Sequence, residues 1–152
     1  MIRGIVMRSL SLGLLAIALT SGGWVAATTP SRTPPYSQVD VVLGGGTEAT
    51  PGTEVTVEYT GWLFDPLRID SKGAVFDSSI GREPLTFRLG TGSVIEGWER
   101  GVPGMKVGGT RRLIIPPSLA YGAPRNGPLP PYAALLFEIQ LVGVTTESQS
   151  AR

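Results

Sequence analysis

A chain of 152 residues has the size of one ordinary domain, and its hydrophobic fraction of 41% is enough to form a core. The sequence contains neither cysteine nor histidine, which excludes disulfides, a thiolate nucleophile, a cysteine metal site and a Ser-His-Asp hydrolase. The formal net charge of +1 gives no sign of a nucleic-acid-binding surface, so no nucleic-acid partner is expected.

The first 27 residues are predicted to be a secretory signal peptide. Arg3 and Arg8 precede an apolar stretch over 10–19, and small residues at 25–27 suit a signal peptidase. Cleavage is expected after Ala27, which would export the protein to a periplasm, a lumen or the medium. An uncleaved membrane anchor is the alternative. The apolar run is short for a hydrocarbon layer of about 30 Å, and it is diluted by serine and glycine.

The rest of the chain is predicted to hold one domain. A polar, proline-rich linker over 28–38 precedes a continuous domain over 39–144, and a flexible polar tail follows over 145–152. We find no internal repeat and no low-complexity block that would divide this domain. Contact with a membrane is therefore expected only through the signal segment, if that segment is not cleaved.

Alternation of apolar and polar residues predicts the strands of an antiparallel sheet. In segment 54–60, for example, Val55, Val57 and Tyr59 fall on one face and the polar residues on the other. Glycine and proline clusters separate the strand candidates along the chain. These candidates are 39–43, 54–60, 74–77, 85–89, 111–115 and 135–141.

One short helix is predicted over 93–101. Ser93 is expected to cap it, in a capping box with Glu96 three residues later, and Glu96 is expected to pair with Arg100 on the solvent side. The apolar residues at helical spacing are Ile95, Trp98 and Val102.

The predicted fold is therefore α+β: a curved antiparallel sheet of five to six strands wrapped around one short α-helix. Such a fold leaves a cleft where the end of the helix meets the sheet. Aromatic residues are unusually dense near this place in the sequence pattern. They are Tyr59, Phe76, Trp98, Tyr121 and Phe137.

Four stretches of the sequence carry a family resemblance. They are VEYTGWL at 57–63, VFDSS at 75–79, GSVIEGWERGVPGMKVGGTRRLIIPPSLAYG at 92–122 and LPPYAALLFEIQL at 129–141. In this order and spacing they resemble the FKBP-type peptidyl-prolyl isomerases, the macrolide-binding immunophilins. The combination of VIEGWE, AYG and PP-x-A-x-L-x-F-x-I-x-L is highly specific, and the resemblance covers 39–144. It implies an FKBP-like sheet around a short helix, which agrees with the alternation pattern.

The resemblance implies catalysis of rotation about the bond before proline, in a shallow apolar pocket that receives the proline ring. Trp98 would form the floor of this pocket. Its walls would be Tyr59, Phe76, Val94, Ile95 and Phe137, with Leu85 at the rim.

Polar groups at the pocket are also implied by the resemblance. The Tyr121 hydroxyl would donate a hydrogen bond to one substrate carbonyl, and the Ile95 backbone N–H would contact a second. Asp77 would lie beside the twisting amide, held by Tyr59 and Arg82.

Each of these residues taken alone has a simpler interpretation. Trp98 on a helix face is a core residue in most proteins, and phenylalanines in strands are usually core as well. Asp77 would also fit the start of a turn, and Tyr121 in a Pro/Gly-rich loop would fit a surface aromatic. Only their joint spacing favours the pocket.

Several positions depart from the family pattern. Leu85 stands where close relatives often carry an aromatic residue, and Arg125 and Pro128 differ in the loop that should overhang the site. The segment 62–75 is longer than in compact members, so an extra surface loop is expected. The segment 28–38 is too short for the dimerisation helices of some relatives, and a monomer is expected.

The implied reaction makes and breaks no bond, so it needs no histidine, cysteine, metal or cofactor. The leading hypothesis is a peptidyl-prolyl isomerase whose partners are proline-containing polypeptides, exported or unfolded, with macrolides as potential inhibitors. The alternative is a non-catalytic module that binds proline-containing segments as a chaperone or assembly factor.

Overall fold

The computed structural model describes residues 33–123 and 127–146. The strands are β1 (Ser37–Val42), β2 (Glu54–Phe64), β3 (Lys72–Ser78), β4 (Leu85–Arg88), β5 (Thr110–Ile115) and β6 (Leu135–Thr145). They form one antiparallel sheet, and the single α-helix of the described ranges, α1 (Glu96–Gly101), packs against β5. A 3₁₀ turn follows β5 at Pro117–Leu119. The predicted α+β fold is confirmed. None of the helices within these ranges is long and apolar enough to span a membrane.

The long strand β2 organises the sheet, whose order is β1-β5-β6-β2-β3. One edge of β2 pairs with β6 along its whole length. The other edge is shared, because β4 pairs with residues 54–57 and β3 with residues 60–64. The chain between β3 and β4 therefore runs beside the middle of β2 on this edge, and it brings the end of β3 and the start of β4 to the same region.

The core lies between the sheet and α1. As the alternation predicts, Val55 and Val57 on β2 are completely buried. Each such aliphatic side chain contributes on the order of 1.5–3 kcal/mol when it leaves water. The other completely buried core residues include Leu113, Ile115, Leu135, Ile139 and Leu141 on β5 and β6.

The folded region extends a few residues beyond the predicted domain. Strand β1 begins at Ser37, and Tyr36 packs on the core while its hydroxyl lies 3.0 Å from Gln38 Oε1 and 3.4 Å from the Gly97 carbonyl oxygen. At the other end, Thr145 is still part of β6. The signal peptide predicted over 1–27 lies outside the described residues, as do 28–32 of the predicted linker and 147–152 of the predicted tail.

The predicted capping box is wrong. The helix begins at Glu96 with Ile95 as its N-cap, and no side chain makes a capping hydrogen bond. Ser93 stands two residues before the N-cap, too early to reach the free amides of the first turn, and its hydroxyl pairs with the Thr91 hydroxyl instead. The predicted ion pair between Glu96 and Arg100 is present on the exposed side.

An exposed loop at 65–71 joins β2 to β3. It lies within the long segment 62–75, for which the sequence predicts an extra surface loop. Two successive turns shape it, with the Arg68 N–H donating to the Asp65 carbonyl and the Ser71 N–H donating to the Arg68 carbonyl. Leu67 and Ile69 at its tip project into solvent. The loop adds surface without adding to the core.

We expect Gly97→Ala to destabilise the protein, although alanine is the better helix former. A Cβ at position 97 would lie 2.5 Å from Cγ2 of Ile115, a stiff and completely buried side chain that has no room to move. Overpacking of this kind costs about 1–3 kcal/mol. The free energy of unfolding from urea titration measures the loss.

Gly45→Ala is the matched control, since its Cβ would have no neighbour within 4 Å. It should leave the free energy of unfolding within about 0.5 kcal/mol of the parent value. Equal stabilities of the two variants would show that the helix does not pack on β5 as closely as described.

Candidate active site

A buried serine just after β3 joins the chain to the middle of β2. The Ser79 hydroxyl accepts a hydrogen bond from the Tyr59 N–H at 2.8 Å, and the Ser79 N–H donates to the Tyr59 carbonyl at 2.9 Å. These bonds replace the strand pairing that is missing where β3 leaves β2. Because Asp77 lies two residues before Ser79, this contact holds Tyr59 and Asp77 side by side.

A cavity of about 330 Å³ opens where the N-terminus of α1 meets the sheet. It reaches the surface, since Leu85 and Tyr121 in its wall are exposed. Nine of the ten predicted site residues line it, together with Ser93, which the sequence analysis placed in a helix cap. The lining residues are Tyr59, Phe76, Asp77, Leu85, Ser93, Val94, Ile95, Trp98, Tyr121 and Phe137.

Trp98 lies beneath the cavity, surrounded by other rings. It is only 3% exposed, and its ring meets those of Tyr59 and Phe137 edge-on, with centroids 5.1 Å and 5.2 Å away and interplanar angles of 81° and 89°. Phe76 packs in the same way on Phe137, 5.5 Å away. Such edge-to-face pairs are worth about 0.5–1.5 kcal/mol each beyond the area they bury. The rings therefore form a stiff apolar floor and wall.

The indole nitrogen of Trp98 is buried, and it has no hydrogen-bond partner among the described residues.

Among the described residues that line the cavity, Asp77 carries the one ionisable carboxyl group. Its Oδ2 accepts a hydrogen bond from the Tyr59 hydroxyl at 2.6 Å, and its Oδ1 accepts from Nη2 of Arg82 at 2.6 Å and from the Ser78 N–H at 2.9 Å. Burial alone would raise the pKa of Asp77, but the hydrogen bonds from Tyr59, Arg82 and Ser78 outweigh it and lower the pKa below 3.8. The group is therefore an anion at neutral pH.

Arg82 lies outside the cavity wall and acts on the site through Asp77. Its guanidinium also donates to the Ser78 carbonyl, through Nε at 2.8 Å and through Nη2. The side chain is thus fixed to the backbone at the end of β3 while it neutralises the Asp77 carboxylate. The predicted placement of Arg82 beside Asp77 agrees with this geometry.

Both tyrosines of the cavity keep their protons at any ordinary pH. Burial, then the hydrogen bond to Asp77 and the negative charge of Asp77, raise the pKa of Tyr59 to about 12. Burial and the charge of Asp77 also raise the pKa of Tyr121. Each hydroxyl therefore remains available as a hydrogen-bond donor, and that of Tyr59 is already used by Asp77.

Ile95 contributes both its side chain and its backbone. It adopts an extended conformation before α1 (φ −60°, ψ 150°), and its carbonyl accepts the first bonds of the helix from Trp98 and Glu99. Within the ranges that the structure describes, its N–H donates to no backbone carbonyl. A donor is thus left at the cavity wall. No group of three or more His, Cys, Asp or Glu side chains that could hold a metal occurs in these ranges.

Comparison with known proteins identifies the family. The profile of the FKBP-type peptidyl-prolyl cis-trans isomerases matches residues 45–142. The chain is 49% identical over 107 residues to an FK506-binding protein of Neisseria meningitidis serogroup B. The aligned region covers 69% of this chain and 92% of that protein. The chain belongs to the FKBP-type peptidyl-prolyl cis-trans isomerases.

Solved structures of similar proteins agree with this assignment. The crystal structure of AtFKBP13 superposes with a TM-score of 0.62 at 41% identity, over 72% of this chain and 93% of that one. FkpA from Escherichia coli gives a TM-score of 0.60 at 39% identity, over 72% of this chain but only 48% of FkpA. The fold and the isomerase family are thus those that the sequence motifs predict.

Not every position singled out in the FKBP sequence pattern can be placed. Leu85 lies in the cavity wall, so an aliphatic side chain does stand at this part of the rim. Pro128 is exposed, and Arg125 lies outside the described residues. The sequence analysis missed Ser93 as a wall residue because it assigned the side chain to the helix; the start of α1 three residues later removes that assignment.

We expect Tyr59→Phe to raise the pKa of Asp77, since the variant lacks the hydroxyl that donates to Oδ2 at 2.6 Å. A depressed carboxyl pKa adds stability above the ordinary value of 3.8, and this stability is lost as the pH falls through the lowered value. In the variant this contribution should therefore be smaller, and its loss should be complete at a higher pH. Carbon-detected NMR titration of the Asp77 carboxyl measures the shift.

Tyr36→Phe provides the control, because its hydroxyl contacts Gln38 and Gly97 and not Asp77. It should leave the titration of Asp77 unchanged. An unchanged or lower Asp77 pKa in Tyr59→Phe would contradict the hydrogen-bonded pair.

Proposed function

We propose that this cavity accelerates rotation of X-Pro bonds in unfolded or newly exported proteins by stabilising the twisted amide without covalent chemistry. The observation that carries the proposal is the ring-walled cavity above Trp98, with Asp77, Tyr121 and the Ile95 N–H at its wall. Membership of the isomerase family gives the reaction, and the cavity suggests how it proceeds.

The chemistry of amide rotation suits an apolar site. The barrier of about 18–20 kcal/mol arises from the partial double bond, and twisting removes this resonance. Charge then leaves the carbonyl oxygen, so the twisted state is less polar than the planar one. A water-poor cavity lined by rings favours the less polar state relative to water. A million-fold acceleration would need about 8 kcal/mol of such differential stabilisation.

Hydrogen bonds at the wall would hold the substrate backbone in place while one bond turns. The Tyr121 hydroxyl, which stays protonated, is proposed to donate to one substrate carbonyl, and the Ile95 N–H to a second. Fixing the chain on both sides of the proline lets binding energy oppose the loss of planarity. Neither group has to ionise, so turnover should depend little on pH near neutrality.

Asp77 is proposed to act by its charge beside the rotating amide. A carboxylate next to an apolar cavity would tend to take up a proton, but Tyr59 and Arg82 keep it ionised and fix its direction. We propose that this fixed charge orients the twisting amide electrostatically.

The same cavity is proposed to bind macrolides. The similar protein from Neisseria meningitidis is named an FK506-binding protein, and proline-site ligands of this kind need an apolar floor and a few fixed donors. The floor of Trp98 and the donors of Tyr121 and Ile95 would provide both here. Competition between FK506 and a proline peptide would follow.

Refolding of a protein limited by proline isomerisation tests the proposal, because no protease is needed. We expect the chain to shorten the slow phase, Asp77→Leu to lower kcat/KM at least tenfold (about 1.4 kcal/mol), and Tyr121→Phe to lower it only a few-fold. Glu96→Gln changes an exposed side chain of α1 and serves as the control. A non-catalytic binding module would leave the slow phase unchanged, and equal effects of the two site variants would refute their separate roles.

Export is part of the proposal. Its support is the basic start and apolar stretch at the N-terminus, followed by small residues up to Ala27. Expression of the full chain in a bacterium, followed by N-terminal sequencing of the protein outside the cytoplasm, should give a new terminus at Thr28 within a few residues. Recovery of the full-length chain in the membrane fraction would favour the anchor instead.

A further inference from the structure

One residue contacts both ends of the segment that leads from β4 into the cavity wall, with its side chain at the start and its backbone at the end. The Glu99 carboxylate accepts hydrogen bonds from the Gly90 N–H at 2.6 Å, through Oε2, and from the Gly92 N–H at 2.8 Å, through Oε1. The backbone N–H of the same residue donates to the Ile95 carbonyl at 3.2 Å. Glu99 thus bridges the turn at the start of the segment and the N-cap at its end.

The residues of the bridged segment fix its shape only in part, through the Thr91 hydroxyl, which donates to the Arg88 carbonyl at 2.9 Å or pairs with the Ser93 hydroxyl. Gly90 and Gly92 have φ angles of +82° and +72°, in the left-handed region that glycine visits freely but does not prefer. Two free glycines in three residues make a turn with many alternative conformations. The carboxylate selects one of them by taking both amides at once, and hydrogen bonds to a charged acceptor are the stronger kind.

The residues that follow this turn belong to the site. Ser93, Val94 and Ile95 all line the cavity, and the Ile95 N–H is a donor at its wall. A turn that samples other conformations would move this donor relative to Trp98 and Tyr121, which are fixed by other elements. The position of one wall against the rest therefore depends on the Glu99 bridge.

Glu96 provides an internal comparison. Both glutamates lie in the first turn of α1, where an acidic side chain favours the helix, so any general effect on the helix is common to both. Glu96 pairs only with Arg100 on the exposed face. The two contacts to Gly90 and Gly92 are what distinguish Glu99.

We propose that Glu99 is a positioning residue, which sets the Ser93–Val94–Ile95 wall for substrate and for macrolide; this inference rests on the proposed function of the cavity. A preset wall spares the ligand the ordering of a glycine turn on binding. Loss of the bridge should therefore raise KM and the Kd for the macrolide more than it lowers kcat.

Glu99→Gln removes the bridge at constant size, because an amide presents an NH₂ group to one of the two N–H donors. We expect KM for a proline peptide and the Kd for FK506 to rise about tenfold, with kcat within about twofold of the parent. Glu96→Gln should change all three by less than twofold. The Kd is read from Trp98 fluorescence in the full chain. Every variant also carries Trp24→Phe and Trp62→Phe, so that Trp98 is the one tryptophan left of the three in the sequence.

Amide hydrogen exchange gives a second measurement that does not depend on the variant folding. In the unmodified chain, saturating FK506 should slow exchange at Gly90 and Gly92 beyond its effect on Gly108, a turn glycine outside the cavity wall whose N–H donates to the Leu141 carbonyl. In Glu99→Gln the same two amides should exchange faster before ligand is added.

The outcomes separate the two proposals. An unmodified chain that neither shortens the slow refolding phase nor binds FK506 overturns the proposed function. An active chain in which Glu99→Gln behaves like Glu96→Gln overturns the positioning role alone. If Glu99→Gln does not fold, the exchange of Gly90 and Gly92 in the unmodified chain decides, and no protection by FK506 counts against the inference.

Discussion

The edge-to-face contacts of Trp98 with Tyr59 and Phe137 connect the parts from which the site is built. Trp98 comes from the helix, Tyr59 from β2 and Phe137 from β6, and their centroids lie 5.1–5.2 Å from Trp98. Aromatic rings in this arrangement resist sliding, because each edge faces the negative surface of another ring. A short helix of six residues has little stability of its own, so these contacts determine where it lies. The cavity exists because the helix is held at this distance from the sheet.

The site combines an apolar cavity with a fully ionised carboxylate, and the structure resolves this conflict with neighbouring donors. Asp77 takes hydrogen bonds from a phenol, a guanidinium and a backbone amide, all supplied within the short stretch from Tyr59 to Arg82. Since the Asp77–Arg82 pair is partly exposed to solvent, its contribution to stability is modest. The pair fixes the position of the carboxylate instead. The negative charge stays at one place in the wall, and the rings keep the rest of the lining apolar.

The features that could be predicted from the sequence were those set by residues close together along the chain. Period-two alternation predicted the strands over 54–60, 85–89 and 135–141. It worked there because side chains such as Val55 and Val57 on β2, and Ile139 and Leu141 on β6, point into the core. The predicted fold already placed the five rings near the cleft, but their roles as floor and walls of a pocket came from the family motifs, since nothing local in the sequence relates position 59 to position 137.

Local rules also competed at the helix start. The spacing of Ser93 and Glu96 satisfies the capping-box rule, yet the glycine turn before Ser93 delays the helix until Glu96 and leaves the amides of Gly90 and Gly92 to Glu99. A side chain that reaches back across a glycine turn has no sequence signature of fixed spacing. The pairing between Tyr59 and Ser79 was equally hidden, because it replaces a strand contact that sequence patterns assume to be regular.

The glycine of the YTGW stretch shows how a motif residue without a side chain can shape a site. A Cβ on Gly61 would lie 2.7 Å from Cε1 of Phe137 and 2.8 Å from Cζ of Phe76. The two rings rest directly on the bare backbone of β2, and any side chain there would push them toward the space above Trp98. The cavity of about 330 Å³, which both rings line, thus depends on the missing side chain at Gly61. The tyrosine and the glycine of this motif therefore act on the same cavity, one by positioning the carboxylate and the other by letting the rings withdraw.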